Sequence, residues 1–148
     1  MSGEPGPTTL IVETTAGEEP PVDFLGPSSD IVYFISFAHT ERYGADHPLA
    51  RAAAILKRRL RVNIAPLMTF ADARVEDEED AAILERAWQD SAPLAESARA
   101  AASAIESDPE LREFTSDFPE LPERLRELAE IAAWAAQRGA RVRLSYVL

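Results

Sequence analysis

A chain of 148 residues with 46% hydrophobic and 28% charged side chains has the size and composition of one folded domain, which excludes disorder of the whole. The net charge of −11 argues against nucleic acid as a partner, because a polyanion is repelled. The absence of cysteine removes disulfides, thiolate catalysis and thiolate metal sites together.

Along the chain, residues 1–7 (Met-Ser-Gly-Glu-Pro-Gly-Pro) read as a disordered tail ahead of a single globular domain over 8–148. They carry neither a basic start nor an apolar stretch, so no secretory signal is visible. A cytoplasmic location is expected on that ground. The β-branched and aromatic run Ile31 to Ile35, like every other apolar run in the chain, is far too short to span a bilayer, so no membrane association is expected. Only Lys57 among the 15 basic residues is lysine, and the preference for arginine and alanine suggests a GC-rich bacterial genome.

The β-branched segment from Thr8 to Thr15 predicts a strand stopped by Gly17. Glu18 to Ser29, with Pro20, Pro21, Gly26 and Pro27, predicts a loop anchored by Phe24 and Leu25. Asp30 to Ala38 is apolar on both faces and reads as a strand covered on both sides. Period alone does not decide so short a run, and a helix capped by Ser28 or Ser29 and closed by Gly44 is the alternative. Pro48 to Arg61 predicts a helix: Asp46 can cap it, Leu49, Ala53, Leu56 and Leu60 share a face, and Lys57, Arg58, Arg59 and Arg61 suit its C-terminal dipole. Val62 to Phe70 contains Pro66, which lacks a ladder donor, so an edge strand or extended segment is expected.

From Asp77 the pattern is helical, with Leu84, Ala87, Trp88 and Ser91 on one face and a kink or restart at Pro93. Leu94, Ala98, Ala101, Ala102 and Ile105 then share a small-residue face suited to close helix contact. Asp108 to Pro119 reads as a polar connector with one turn around Leu111 to Phe114. Pro122 to Arg138 is the clearest helix, with Leu125, Leu128, Ile131, Ala132 and Ala135 inward and Gly139 ending it. Val142, Leu144 and Tyr146 alternate with Arg141, Arg143 and Ser145 as a half-buried last strand does, and the first and last strands are expected to be neighbours. These elements predict an α+β (or α/β) fold, a small mixed sheet of three to four strands packed by three main helices. An all-α bundle is the alternative if 30–43 is helical.

Both histidines fall in one polar segment with Ser36, Thr40, Glu41, Arg42, Tyr43 and Asp46. If 30–38 is a strand, His39 onward lies at its carboxyl end before a helix N-terminus, where ligands bind in open α/β sheets. Thr69, Asp72 and Arg74 would reach the same crevice after the next strand. The ligand-binding candidates are therefore His39, Thr40, Glu41, Arg42, His47 and Asp72; no catalytic residue is assigned. A metal held by His39, Glu41, Asp46 and His47 is conceivable, but a solvated loop with a helix cap explains the same residues, and no metal or cofactor is expected. No phosphate-cradling glycine loop, nucleophile elbow, zinc-protease or di-iron helix motif is present.

Asp30-Ile31-Val32-Tyr33-Phe34-Ile35-Ser36-Phe37-Ala38-His39-Thr40-Glu41 resembles the opening strand and loop of Toll/interleukin-receptor-like domains, with an aspartate, an apolar strand and a Ser-aromatic pair before a polar loop. The similarity extends through the helix after Pro48. The resemblance implies NAD-nucleotide cleavage or homotypic assembly. The chain departs from that family between 75 and 120, where strands are expected and the pattern is helical.

Charge distribution sets the functional expectation. Glu76 to Glu130 holds 17 acidic residues and five arginines, a balance of −12, while the rest holds nine acidic and ten basic residues, +1. A solvated helical face accounts for the acid. The Lys57–Arg61 cluster can accept an anionic partner or the acidic half of a second copy. With no catalytic motif and an uneven charge map, a non-enzymatic module that binds a protein partner or self-associates is expected. The alternative is a small enzyme or ligand-binding protein with its site around His39–His47.

Overall fold

The sheet is built on β4 (Arg141–Val147). β1 (Thr9–Thr14) runs antiparallel along one edge, with Thr9 opposite Val147 and Thr14 opposite Val142. The other edge is shared end to end. β2 (Phe70–Asp72) pairs in parallel with Leu144 to Tyr146, and β3 (Trp88–Asp90) pairs antiparallel with Arg141 to Arg143. The first and last strands are thus neighbours, as expected. The computed structural model describes residues 9–18, 20, 28–39 and 47–147, and the expected tail over 1–7 lies outside them.

Six helices complete the described fold: α1 (Ser29–His39), α2 (Pro48–Ala54), α3 (Glu78–Glu85), α4 (Ser91–Ser107), α5 (Pro109–Phe114) and α6 (Leu121–Gln137). The architecture is α+β, not an all-α bundle. Among the described residues no helix is long and apolar enough to cross a membrane.

The main correction concerns 30–38, which form α1 and not a buried strand. Ile31, Val32, Phe34 and Ile35 are all buried while Tyr33 is 41% exposed, a helical distribution that a two-sided strand does not give. Both edges of β4 are already filled by the other three strands. The Ser28 hydroxyl accepts the Leu10 amide at 2.9 Å and the Ser28 carbonyl accepts the Val32 amide at 3.2 Å, so the first turn of α1 is tied to β1. Strand propensity in this run gives way to burial against neighbouring elements. The resemblance to Toll/interleukin-receptor-like domains goes with it, because the matching segment is not a strand.

α2 begins at Pro48 as expected, capped by His47 in place of Asp46. It runs on through a π-helical turn, Ile55–Arg59, and stops where Arg61 adopts φ 57°. Glycine usually takes that left-handed position, and an L-residue there costs about 1 kcal/mol. Val62 to Ile64 form no regular element, Ile64 sits at φ −98°, ψ 9°, and Pro66 enters a 3₁₀ turn, Ala65–Met68. The strand therefore starts later than expected, at Phe70.

Trp88 lies in β3 and not on a continued helix, because residues 88–90 complete the ladder of β4. Gln89 fastens this short strand, its side-chain amide donating to the Pro66 carbonyl at 2.9 Å and the Thr69 carbonyl at 3.3 Å. α4 restarts at Ser91, so Pro93 sits in its first turn, where a missing N–H leaves no helical bond unmade.

α4 and α6 pack along their lengths. Ala98, Ala101 and Ala102 meet a buried face of Leu125, Leu128, Ala129 and Ala132, and with Leu94 and Ile105 they form the centre of the core. α6 ends in a Schellman turn at Gly139, φ 66°, with the Ala140 amide bonded to the Ala135 carbonyl and the Gly139 amide to Ala136. The Ser91 hydroxyl donates to the Ala140 carbonyl at 2.6 Å, joining the start of α4 to the start of β4.

Asp108 closes the far end. It caps α5 by accepting the Glu110 and Leu111 amides, and takes Arg59 of the π turn at 2.8 Å. The Leu111 amide, and then Arg59, hold its carboxyl below the ordinary aspartate range. The unfolded chain binds this proton more tightly, so the contribution is present at neutral pH and is lost as pH falls through the folded-state value. Asp108→Asn is expected to melt below the wild type at neutral pH, with the gap closing in acid. A gap that stays constant across a pH series of melting curves would remove the linkage.

Candidate functional site

The expected crevice at 39–47 rested on a strand ending at Ala38. With α1 there, no strand terminus points to it. His39 is the last residue of α1, and its side chain, together with Thr40, Glu41, Arg42 and Asp46, lies outside the described residues. His47 has a defined setting. Its Nδ1 accepts the Leu49 amide at 3.1 Å, capping α2. Its ring stacks on Phe37 at 3.6 Å between centroids and 7° between planes, with Phe118 at 6.0 Å. The cap occupies Nδ1, so only the Nε2 edge remains for any other contact. Among the described residues no group of three or more His, Asp or Glu side chains is arranged to hold a metal ion.

Asp72 is separate from this corner. It ends β2, where Oδ1 accepts the Arg74 amide at 2.8 Å and Oδ2 lies 3.9 Å from the Arg74 guanidinium. Tyr146 lies opposite it in the ladder. Burial, and then the Asp72 charge, raise the Tyr146 hydroxyl above its ordinary value. Thr69 turns back on its own segment, its hydroxyl donating to the Ala65 carbonyl. The expected grouping of His47 with Thr69, Asp72 and Arg74 is therefore not what the described contacts assemble.

One cluster was not foreseen. Arg124 on α6 is 2% exposed. Its Nε lies 2.8 Å from Glu127, with Glu123 at 3.4 Å and Glu120 at 3.7 Å from its other nitrogens. Nη1 makes no hydrogen bond. Asp30 on α1 borders the group, accepting the Glu120 amide at 3.2 Å, and burial pushes its carboxyl upward. This arrangement joins α1 to α6.

Two surface features remain, and their characters are opposite. The first is α3. Asp77 caps it by accepting the Asp80 amide at 2.8 Å, and Asp80 returns to the Glu76 amide at 3.0 Å. Four carboxylates thus meet its positive end. Yet α3 has no buried residue; Leu84 is only half-buried and Ile83 stands 45% exposed, with Val75 just ahead at 46%. The inward face expected from the sequence holds Leu84, with Ala87, Trp88 and Ser91, and does not include Ile83. Only the break at Glu85 shows that Ile83 has nothing over it.

The second feature is a groove between the end of α2 and the 3₁₀ turn. Lys57, Arg61, Val62, Ile64 and Met68 line a cavity of about 470 Å³ with no carboxylate in its wall. A smaller cavity of about 330 Å³ continues past Arg61 and Asn63 to Glu96 and Ser97 on α4. The Ser97 hydroxyl is buried there without a hydrogen-bond partner. Arg59 is spent on Asp108 and Glu110, whereas Arg61 is exposed and forms no ion pair among the described residues. The sequence marked this basic stretch as a whole; which of its members is free depends on how the π turn ends. Compared with known proteins, the chain matches no family model, no curated protein and no solved structure.

Proposed function

We propose that this chain is a non-enzymatic protein-binding or self-associating module that makes contact through α3. The observation that carries the reading is an eight-residue helix with no buried residue that displays Ile83 within a field of carboxylates. Helices this short have little stability of their own, and a surface helix ordinarily buries one apolar face. A helix held in place by its cap and by β2 alongside, with its apolar residue outward, is suited to cover that residue against another molecule. The charge imbalance supports the same reading, since one strongly acidic side orients encounter with a complementary surface and disfavours wrong ones. Sedimentation velocity at low and at high salt tests it. Association that weakens as salt rises is expected, and a monomer at both salts with no co-purifying partner would overturn it.

A further inference from the structure

The geometry points to a specific occupant: we infer that the groove beside Arg61 receives α3 of a second copy of this chain. Ile83 enters the apolar wall formed by Val62, Ile64 and Met68, and the carboxylates of Glu78 and Glu79 face Arg61. The inference rests on the reading above and names its partner.

Three independent observations converge on it. The first is charge. Residues 76–130 carry −12, so that stretch repels another copy of α3, but no carboxylate lines the 470 Å³ groove, and Lys57 and Arg61 border it. The second is apolar matching. The groove is walled largely by Val62, Ile64, Ala65 and Met68, and Ile83 and Val75 are, with Tyr33, the large hydrophobic residues left exposed among the described residues. The third is the backbone at Arg61. The chain ends α6 in the same left-handed conformation with a glycine, Gly139 at φ 66°, but ends α2 with an arginine at φ 57°. The left-handed position at the groove's rim thus carries an exposed cation where glycine would be unstrained.

The occupant comes from another molecule. Within one chain the groove precedes β2 and α3 follows it, and Ile83 is exposed where it stands. The surfaces are also different from one another, so the contact is heterologous: each copy offers one knob and one groove.

A concentration series in sedimentation velocity at low salt, with circular dichroism confirming the fold of every variant, tests the assignment. Arg61→Glu, and separately the pair Glu78→Arg with Glu79→Arg, should each weaken self-association by about tenfold or more. An equimolar mixture of these two variants should associate again, since the reversed charges then face each other. Ile83→Ser should weaken association while leaving its salt dependence in place. Arg61→Gly is the control against misfolding: it should raise the melting temperature and still weaken association, a pairing that a merely structural arginine would not give. If wild type associates and Ile83→Ser weakens it while none of the charge variants does, the groove assignment falls and the binding reading of α3 stands; if Ile83→Ser leaves it unchanged as well, both fall. If the chain is monomeric but holds a different protein that Ile83→Ser releases, the assignment likewise falls and the reading stands. If it is monomeric and holds none, both fall.

Discussion

Replacing Arg124 by leucine is expected to lower the free energy of unfolding by about 3–5 kcal/mol, a large part of the roughly 5–15 kcal/mol that holds a domain of this size together. The reason is what the substitution leaves behind. Arg124 and Glu127 are 2% and 6% exposed, and their closest contact is 2.8 Å. Removing the guanidinium leaves Glu127 a buried carboxylate with no counter-charge, beside Glu123 and Glu120, which the cation now holds. Two side chains of similar volume but no charge present no such difficulty. Arg124→Leu with Glu127→Leu should therefore recover most of the loss, because a buried pair scarcely outweighs its own desolvation. Urea denaturation followed by circular dichroism measures both variants. A loss under about 1 kcal/mol for Arg124→Leu would mean that Glu127 reaches water when its partner is gone.

Phe34→Ala should cost about 3–5 kcal/mol, and Tyr33→Ala less than about 0.5 kcal/mol, although the two residues are adjacent. Phe34 is fully buried in the central cluster with Ile31 and Ile35, and Tyr33 is 41% exposed on the other side of α1. The contrast is a direct reading of the helix. A strand covered on both faces would bury both residues, and both substitutions would then be costly. Equal losses at the two positions, from the same denaturation experiment, would contradict the helical assignment of 29–39.

The two variants also mark where sequence reading succeeded and failed. The succeeding cases share a cause: signals confined to one segment that the rest of the molecule did not oppose. α6 is bounded by Pro122 and Gly139, which act through their own backbone, and its apolar stripe has the helical period. The α4 face from Leu94 to Ile105 is buried as its spacing requires, and β4 buries Val142 and Leu144 as read, although Ser145, expected on the outward face, is 1% exposed. The failing cases needed a partner to be known. Residues 30–38 carry strand-forming side chains, and only their packing partners decide that they bury Ile31, Val32, Phe34 and Ile35 from a helix. Trp88 looked helical until β4 required residues 88–90.

The candidate site divides in the same way. The basic stretch Lys57–Arg61 and the acidic run from Glu76 were legible, because charge is a property of composition. Neither the groove at Arg61 nor the bareness of Ile83 was. The first depends on a π turn ending in a left-handed arginine, the second on α3 stopping at Glu85 with Ile83 45% exposed. The crevice at His39–His47 was a deduction from a strand that does not form, and His47 instead spends Nδ1 on the first turn of α2.

By itself the sequence determined the acidic imbalance, the absence of thiol chemistry, the α+β composition and the two long core helices, because these follow from residue type and local period. Only the tertiary structure decided that Ser29–His39 is helical, that Arg124 is buried among carboxylates, and that Arg61 and Ile83 are left unpartnered. Each of those outcomes turns on which surfaces remain uncovered after long-range packing, and no single segment carries that information.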